Sequence, residues 1–114
     1  MKRLLSILIL TTSLLLSSSY NTEEAIRHIG EIGTICGTAY GGYYARSSNG
    51  KPTFINLDGK YPNQKFTIII WGVDRYKFKN PEEKYTGKRI CVKGRIDLYH
   101  GTPQIAISKR GQIK

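Results

Sequence analysis

Alternating apolar and polar residues near the C-terminal end of the chain predict two strands joined by a hairpin. In the stretch GKRICVKGRIDLYHGTPQIAI, residues 87–107, the apolar parity carries Ile90, Val92, Ile96 and Leu98. The other, mainly basic parity carries Cys91, Lys93, Arg95 and Asp97. This two-residue period indicates a strand with one buried face. Gly94 marks a bend or bulge, and the segment Tyr99-His100-Gly101 supplies turn residues before the last strand.

The upstream sequence predicts three more strands and one short helix. The strands are expected over residues 32–38, 51–58 and 65–71, with Phe54 facing outward and a long mobile connection over residues 39–51. Asn80, Pro81 and two glutamates predict a helix start with Asn80 as its cap, and Gly87 ends the helix. The third strand is apolar on both parities around Ile68–Ile70, so we expect the segment after Asp74, with this helix, to cover it.

Composition and the N-terminus indicate one small, basic, exported domain. The 114 residues include 18 Lys and Arg against 8 Asp and Glu, for a net charge of +10. Residues 1–19 read as an export signal, because Lys2 and Arg3 precede an apolar run that ends in three serines. The alternative is an uncleaved membrane anchor, but that run is shorter than the roughly 20 residues of a spanning helix. We therefore expect residues 20–30 to form a lead segment and residues 31–114 the folded domain, in the periplasm or secreted, with no membrane span after cleavage.

The chain contains two cysteines, Cys36 and Cys91. Along its strand, each cysteine alternates with apolar neighbours that point into the core, so its own side chain points away from the core. Both cysteines are therefore expected on the same side of the sheet. In an exported protein this pair favours a disulfide. Two small buried thiols remain an alternative, and a metal site is disfavoured because no Cys/His cluster accompanies the pair.

The order of three strands, a helix and two strands resembles the OB-fold, a five-stranded Greek-key barrel. The segments KFTIIIWG and NPEEKYTGKRICVKGRIDLYHGTPQI are similar to the small exported OB-fold domains of secreted, sugar-nonspecific bacterial nucleases. The resemblance covers about residues 31–113. It implies an all-β barrel with one short helix, in which the first and fourth strands pair and bring Cys36 and Cys91 together. It also implies that ligands lie across the second and third strands, beside the loops joining strands one to two and four to five.

Aromatic and basic residues are interleaved in those segments, which suits single-stranded DNA or RNA because rings stack on bases and cations follow phosphates. The predicted nucleic-acid-binding residues are Tyr43, Tyr44, Arg46, Lys51, Phe54, Asn56, Lys65, Lys93, Arg95 and Tyr99. The alternative is that the tyrosines pack over the end of the barrel while the lysines only solubilise it. For Lys93 and Arg95, a phosphate track and a solvated strand face both fit the pattern.

Catalysis is the competing class of function. A metal-dependent nuclease needs converging carboxylates, yet Asp58, Asp74 and Asp97 fall in separate segments, and neither His28 nor His100 has an evident acid-base partner. We therefore expect a monomeric, non-enzymatic protein without metal or cofactor that binds nucleic acid with low sequence specificity. Other polyanions remain possible partners, and the alternative function is an exported module for binding protein or saccharide.

Overall fold

The computed structural model describes residues 18–114, so almost all of the predicted export signal, residues 1–19, lies outside the described residues. The described chain contains seven strands: β1 (Ser19–Asn21), β2 (Ile32–Tyr44), β3 (Thr53–Leu57), β4 (Phe66–Ile70), β5 (Arg89–Arg95), β6 (Asp97–Tyr99) and β7 (Thr102–Ala106). One short helix, α1, spans Pro81–Lys84, and 3₁₀ turns span Ala25–His28, Gly72–Lys77 and Arg110–Gln112. The prediction of an all-β domain with one short helix is confirmed.

The strands form one mixed sheet around the long strand β2. The first half of β2 pairs antiparallel with β5 and parallel with β1, and its second half pairs antiparallel with β3. β3 pairs antiparallel with β4, β4 pairs parallel with β7, and β7 pairs antiparallel with β6. The seven-stranded sheet is not closed by pairing, and the predicted barrel of five strands is not confirmed. The N-terminal lead contributes an additional strand, and Ile96 separates β5 from β6.

Apart from Phe66, the core is mainly aliphatic and lies on the inner face of the sheet. Its fully buried members include Ile35, Ile55, Leu57, Phe66, Ile68, Ile70, Val92, Ile96, Ile105 and Ile107. The predicted inward parity of Ile90, Val92 and Ile96 agrees with their burial. Leu98 differs and is exposed, because it lies after the break at Ile96 and pairs with Pro103 at the edge of the sheet.

A disulfide joins Cys36 and Cys91, which confirms the predicted bond. The two residues are direct partners in the β2–β5 pair, with their Cα atoms 4.0 Å apart. The bond closes a loop with a sequence separation of 55 residues. By the chain-entropy estimate, such a loop contributes about 4 kcal/mol to the free energy of unfolding. That contribution is large for a domain with so small a core.

The predicted mobile connection over residues 39–51 is wrong in its first half, because β2 continues to Tyr44. The register shifts between Ala39 and Gly42, and Gly41 has a φ of +99°, so a glycine bulge carries the strand onward. A Cβ on Gly42 would lie 2.3 Å from the carbonyl oxygen of Phe54 and 3.0 Å from the Cα of Glu82. Gly42 therefore lets β3 and α1 approach the β2 backbone closely.

The helix also differs from the prediction. It packs against β2 and β3, and the outer face of β4 is left for other groups to cover. Asn80 occupies the N-cap position in a left-handed conformation, but its side chain makes no cap hydrogen bond.

Candidate functional site

The outer face of β3, β4 and β7 carries an apolar row beside a polar row. Phe54 on β3 is the partner of Ile69 on β4, and Ile69 is the partner of Ala106 on β7. Two residues along each strand, Asn56, Thr67 and Gln104 form the second row. Cross-strand partners stand on the same face, so this surface offers apolar area next to amide and hydroxyl groups.

A groove of about 330 Å³ opens on this face. We call it the aromatic groove, and its lining residues are Ser48, Asn49, Pro52, Phe54, Ile69, Trp71, Tyr99 and Gln104. Three rings therefore converge from β3, from the end of β4 and from β6. Ile69 also lines the groove, although it is only 4% exposed.

Trp71 is the groove residue that sequence reasoning missed. It directly follows β4 on the same parity as Ile69, and its side chain is 44% exposed. A Cβ on Gly50 would lie 2.9 Å from the indole Cε3 atom, so the loop packs closely on the ring. The backbone amide of Gly72 donates to the carbonyl oxygen of Gly50 at 2.8 Å. The indole is thus held in place before any ligand binds. The sequence did contain an indication of this residue: a single tryptophan at an outward-facing position of the strand, followed by glycine.

The loop between β2 and β3 spans residues 45–52, so it is shorter than the predicted connection over residues 39–51. The backbone amide of Ala45 donates to the carbonyl oxygen of Pro52 at 2.8 Å. The backbone amide of Lys51 donates to the carbonyl oxygen of Ser48 at 3.0 Å. Arg46 and Lys51 are exposed on the same loop. This loop also lines the aromatic groove. Lys51 lies beside Gly72, the residue after Trp71, whereas the Arg46 guanidinium lies over the Tyr44 ring, on the opposite face from Phe54.

Phe54 and Tyr99 are the two predicted residues that line the groove itself. Tyr43 is the cross-strand partner of Phe54, is 66% exposed and extends the same face onto β2. Asn56 also lies on this face, but it is only 7% exposed. Lys65 lies just before β4, at the other end of the face from Trp71, and its ammonium group is 3.4 Å from Glu23.

Tyr44 lies on the opposite face from Phe54. Its partner in the β2–β3 pair is the buried Thr53, and the Arg75 guanidinium stacks on its ring at 3.7 Å from the centroid. Arg46 approaches the same ring at 5.3 Å. Tyr44 thereby stabilises the junction of β2, the 3₁₀ turn after β4 and α1. The position of Tyr44 gives no support to its predicted role in stacking on bases, and that role stays a prediction.

Arg75 links this cluster to α1. Its guanidinium donates to both carboxylate oxygens of Glu82, at 2.9 and 3.1 Å, and to the Thr53 hydroxyl at 2.7 Å. The bidentate hydrogen bond from Arg75 lowers the pKa of Glu82 below its ordinary value of 4.5, although burial opposes the shift.

Lys93 and Arg95 lie on β5, which does not contribute to the lining of the aromatic groove. Both are exposed, and Arg95 Nε is 3.4 Å from Asp97 Oδ1. The structure does not bring these two cations together with the rings, so their predicted role as a phosphate track stays a prediction.

Within residues 18–114, no three His, Cys, Asp or Glu side chains come together in a way that could hold a metal ion. No helix in the same part of the chain has the length and apolar character needed to cross a membrane.

No protein-family model matches the chain, and no curated protein matches its sequence. Among solved structures, it is similar to a protein assigned as an aspartyl-tRNA synthetase from Leishmania major Friedlin, with 11% identity and a TM-score of 0.52. The match covers 95% of this chain and 22% of the synthetase chain. At that identity the likeness concerns the fold alone, and this chain corresponds to about a fifth of the other protein.

Proposed function

We propose that this chain is an exported, monomeric OB-fold protein that binds single-stranded nucleic acid with little sequence preference. The observation that carries the proposal is the aromatic groove, where Phe54, Trp71 and Tyr99 meet beside the loop that carries Lys51. Rings in an open groove next to cations are the combination that single strands require. No catalytic step, metal or cofactor is part of the proposal.

The pairing pattern supports the OB-fold part of the proposal. β2 pairs with both β3 and β5, and β4 runs parallel to β7, as expected if β5 and β6 together form the fourth strand of a barrel. The groove lies across β3 and β4 and beside the loops that follow β2 and β6, which is the ligand-binding region of that fold. The similar synthetase is named for an activity on tRNA, and that name is compatible with a domain that contacts nucleic acid.

Bases would bind by stacking, with each ring contributing about 1–3 kcal/mol regardless of base identity. A phosphate would lie near Lys51, and binding would release counterions. Removal of Lys2 and Arg3 with the predicted signal changes the net charge from +10 to +8, and this positive charge raises the local concentration of a polyanion before specific contacts form. Low sequence preference follows, because stacking and phosphate contacts carry little base information.

Fluorescence anisotropy of a labelled oligonucleotide, measured from about 50 to 200 mM salt, tests the proposal. For a single strand, log K should fall linearly with log salt, with a slope of about −0.7 per phosphate contacted. Dextran sulfate provides a matched polyanion without bases. Weaker competition by dextran sulfate than by unlabelled oligonucleotide at equal charge supports stacking. Equal competition by the two polymers would mean that the protein binds polyanions in general and does not recognise bases.

A saccharide-binding or protein-binding module is the second candidate. The amides of Asn49 and Gln104 line the groove beside the rings, and this chemistry also suits a sugar. Binding of that kind would change little over the same salt range, so the anisotropy titration with an oligosaccharide competitor separates the two candidates.

A further inference from the structure

A second depression of about 350 Å³ lies at the opposite end of β4 from Trp71. We call it the polar depression, and its lining residues are Thr22, Glu23, Ile26, Gln64, Lys65, Gly101, Thr102 and Pro103. Gln64 and Lys65 directly precede β4, and residues 101–103 open the parallel strand β7. Lys65 and Ile69 share a parity four residues apart, which corresponds to about 13 Å along a strand. One extended ligand on this face can therefore reach both the aromatic groove and the polar depression.

Gln64, in the wall of this depression, holds a hydrogen-bond acceptor that is covered and has no partner. Its Nε2 donates to the Thr67 hydroxyl at 3.1 Å, while its Oε1 is buried and has no hydrogen-bond partner among the described residues. A buried acceptor without a partner is unfavourable, and such atoms are rare in folded proteins. A ligand that supplies an N–H group would remove this penalty, and every nucleobase carries at least one N–H donor.

Lys65 supplies the charge at the rim of the same depression. Its ammonium group pairs with the Glu23 carboxylate at 3.4 Å, and both side chains are largely exposed. An exposed pair of this kind is weak and exchanges readily with other anions. A phosphate would compete with Glu23 for Lys65, so Glu23 opposes the binding of a polyanion at this position.

We infer that the polar depression is a second nucleotide subsite on the strand that fills the aromatic groove. The Gln64 amide turns outward from its buried position and its Oε1 accepts an N–H group of the base, while the adjacent phosphate replaces Glu23 as the partner of Lys65. This inference rests on the proposed function. It adds that the N-terminal lead, through Thr22, Glu23 and Ile26, forms part of the binding surface.

The test measures affinities of labelled oligonucleotides of 4 and 10 nucleotides by anisotropy, since sites on single OB-folds span about 4–16 nucleotides. The readout is the ratio of the long-strand to the short-strand affinity. Gln64→Met removes the amide at similar length and should lower the ratio about tenfold, the effect of one hydrogen bond to a buried acceptor. Lys65→Met should also lower this affinity ratio. For the long strand, it should make the slope of log K against log salt shallower by about 0.7, the contribution of one phosphate contact. Glu23→Gln should raise the ratio about threefold.

Lys79→Met is the charge-matched control, because Lys79 is exposed and lines neither depression. It should affect both lengths by the same factor. Thermal unfolding checks that each variant is folded, and Glu23→Gln alters only an exposed side chain. Oligonucleotide binding with ratios unchanged in all three test variants overturns this inference and leaves the proposed function standing. Absence of binding at either length overturns both.

Discussion

Phe54, Trp71 and Tyr99 show how separated residues become one surface. They are supplied by β3, the residue after β4, and β6, and each is outward because of its strand parity. The Gly50 and Gly72 backbones fix the indole from one side. Little side-chain freedom remains to be lost when a base stacks on it, and this preorganisation favours binding.

Tyr99 and Tyr76 provide a matched pair of substitutions. Tyr99 lines the groove and is 58% exposed, whereas Tyr76 is 81% exposed on the 3₁₀ turn and does not line it. Tyr99→Ala should weaken oligonucleotide binding by about 1–3 kcal/mol, the contribution of one stacking ring. Tyr76→Ala should leave affinity unchanged. Anisotropy titrations measure both, and equal losses would mean that the groove has no special role.

Glu82 should make a pH-dependent contribution to stability. Its pKa is lowered in the folded state, so the contribution is present above its ordinary value of 4.5 and is lost as pH falls through the folded-state value. At pH 7, Glu82→Gln should reduce the free energy of unfolding by about 1–2 kcal/mol, because the charged pair with Arg75 is weakened. As the pH falls through the lowered folded-state pKa of Glu82, the difference from the parent should shrink.

Urea denaturation at several pH values measures this effect. Glu83→Gln is the control, because Glu83 is the exposed neighbour on the same helix and its side chain takes no part in the Arg75 cluster. A loss for Glu82→Gln that does not shrink even at the lowest pH at which the protein stays folded would refute the assigned role of the ion pair.

At the residue scale, Phe54 and Tyr99 could be proposed as surface rings from the sequence. Strand alternation indicated an outward Phe54, and the turn residues of the hairpin indicated the position of Tyr99. Trp71 was missed because it ends an apolar run, where periodicity does not distinguish a surface ring from a core residue. The packing of Tyr44 could not be predicted from the sequence either. Its ring is covered by Arg75, a contact between segments 31 residues apart in the chain.

Among the elements, the second half of β2 decides the shape of the site. Its glycine bulge and the close approach at Gly42 place α1 against β2 and β3, so that α1 does not occupy the face of β4 on which the groove lies. The Gly-Gly-Tyr-Tyr segment looked like a loop because glycine normally weakens strands. Close backbone packing, which requires glycine, outweighed that tendency here.

Gly42→Ala should therefore destabilise the protein. The added Cβ would meet backbone atoms of Phe54 and Glu82, which cannot move as a flexible side chain would. Overpacking of this kind reduces the free energy of unfolding by about 1–3 kcal/mol. Gly111→Ala is the control, since a Cβ there meets no atom within 4 Å. Thermal or urea unfolding compares the two, and similar stabilities would contradict the close-packing explanation.

For the whole molecule, charge and topology were predictable to different extents. The net charge follows from composition, and the strand periodicities predicted an all-β domain and its disulfide partners. The parallel pairing of the lead strand β1 with β2 and the break at Ile96 were not foreseen. Both depend on long-range pairing, which local periodicity does not encode.

Trp71 is the single tryptophan of the chain, so its fluorescence tests the central claim most directly. We expect titration with a single-stranded oligonucleotide to quench its emission saturably, with a midpoint equal to the anisotropy midpoint and rising with salt. If anisotropy reports binding while Trp71 emission stays unchanged, nucleic acid binds elsewhere on the basic surface and the groove is not the binding site.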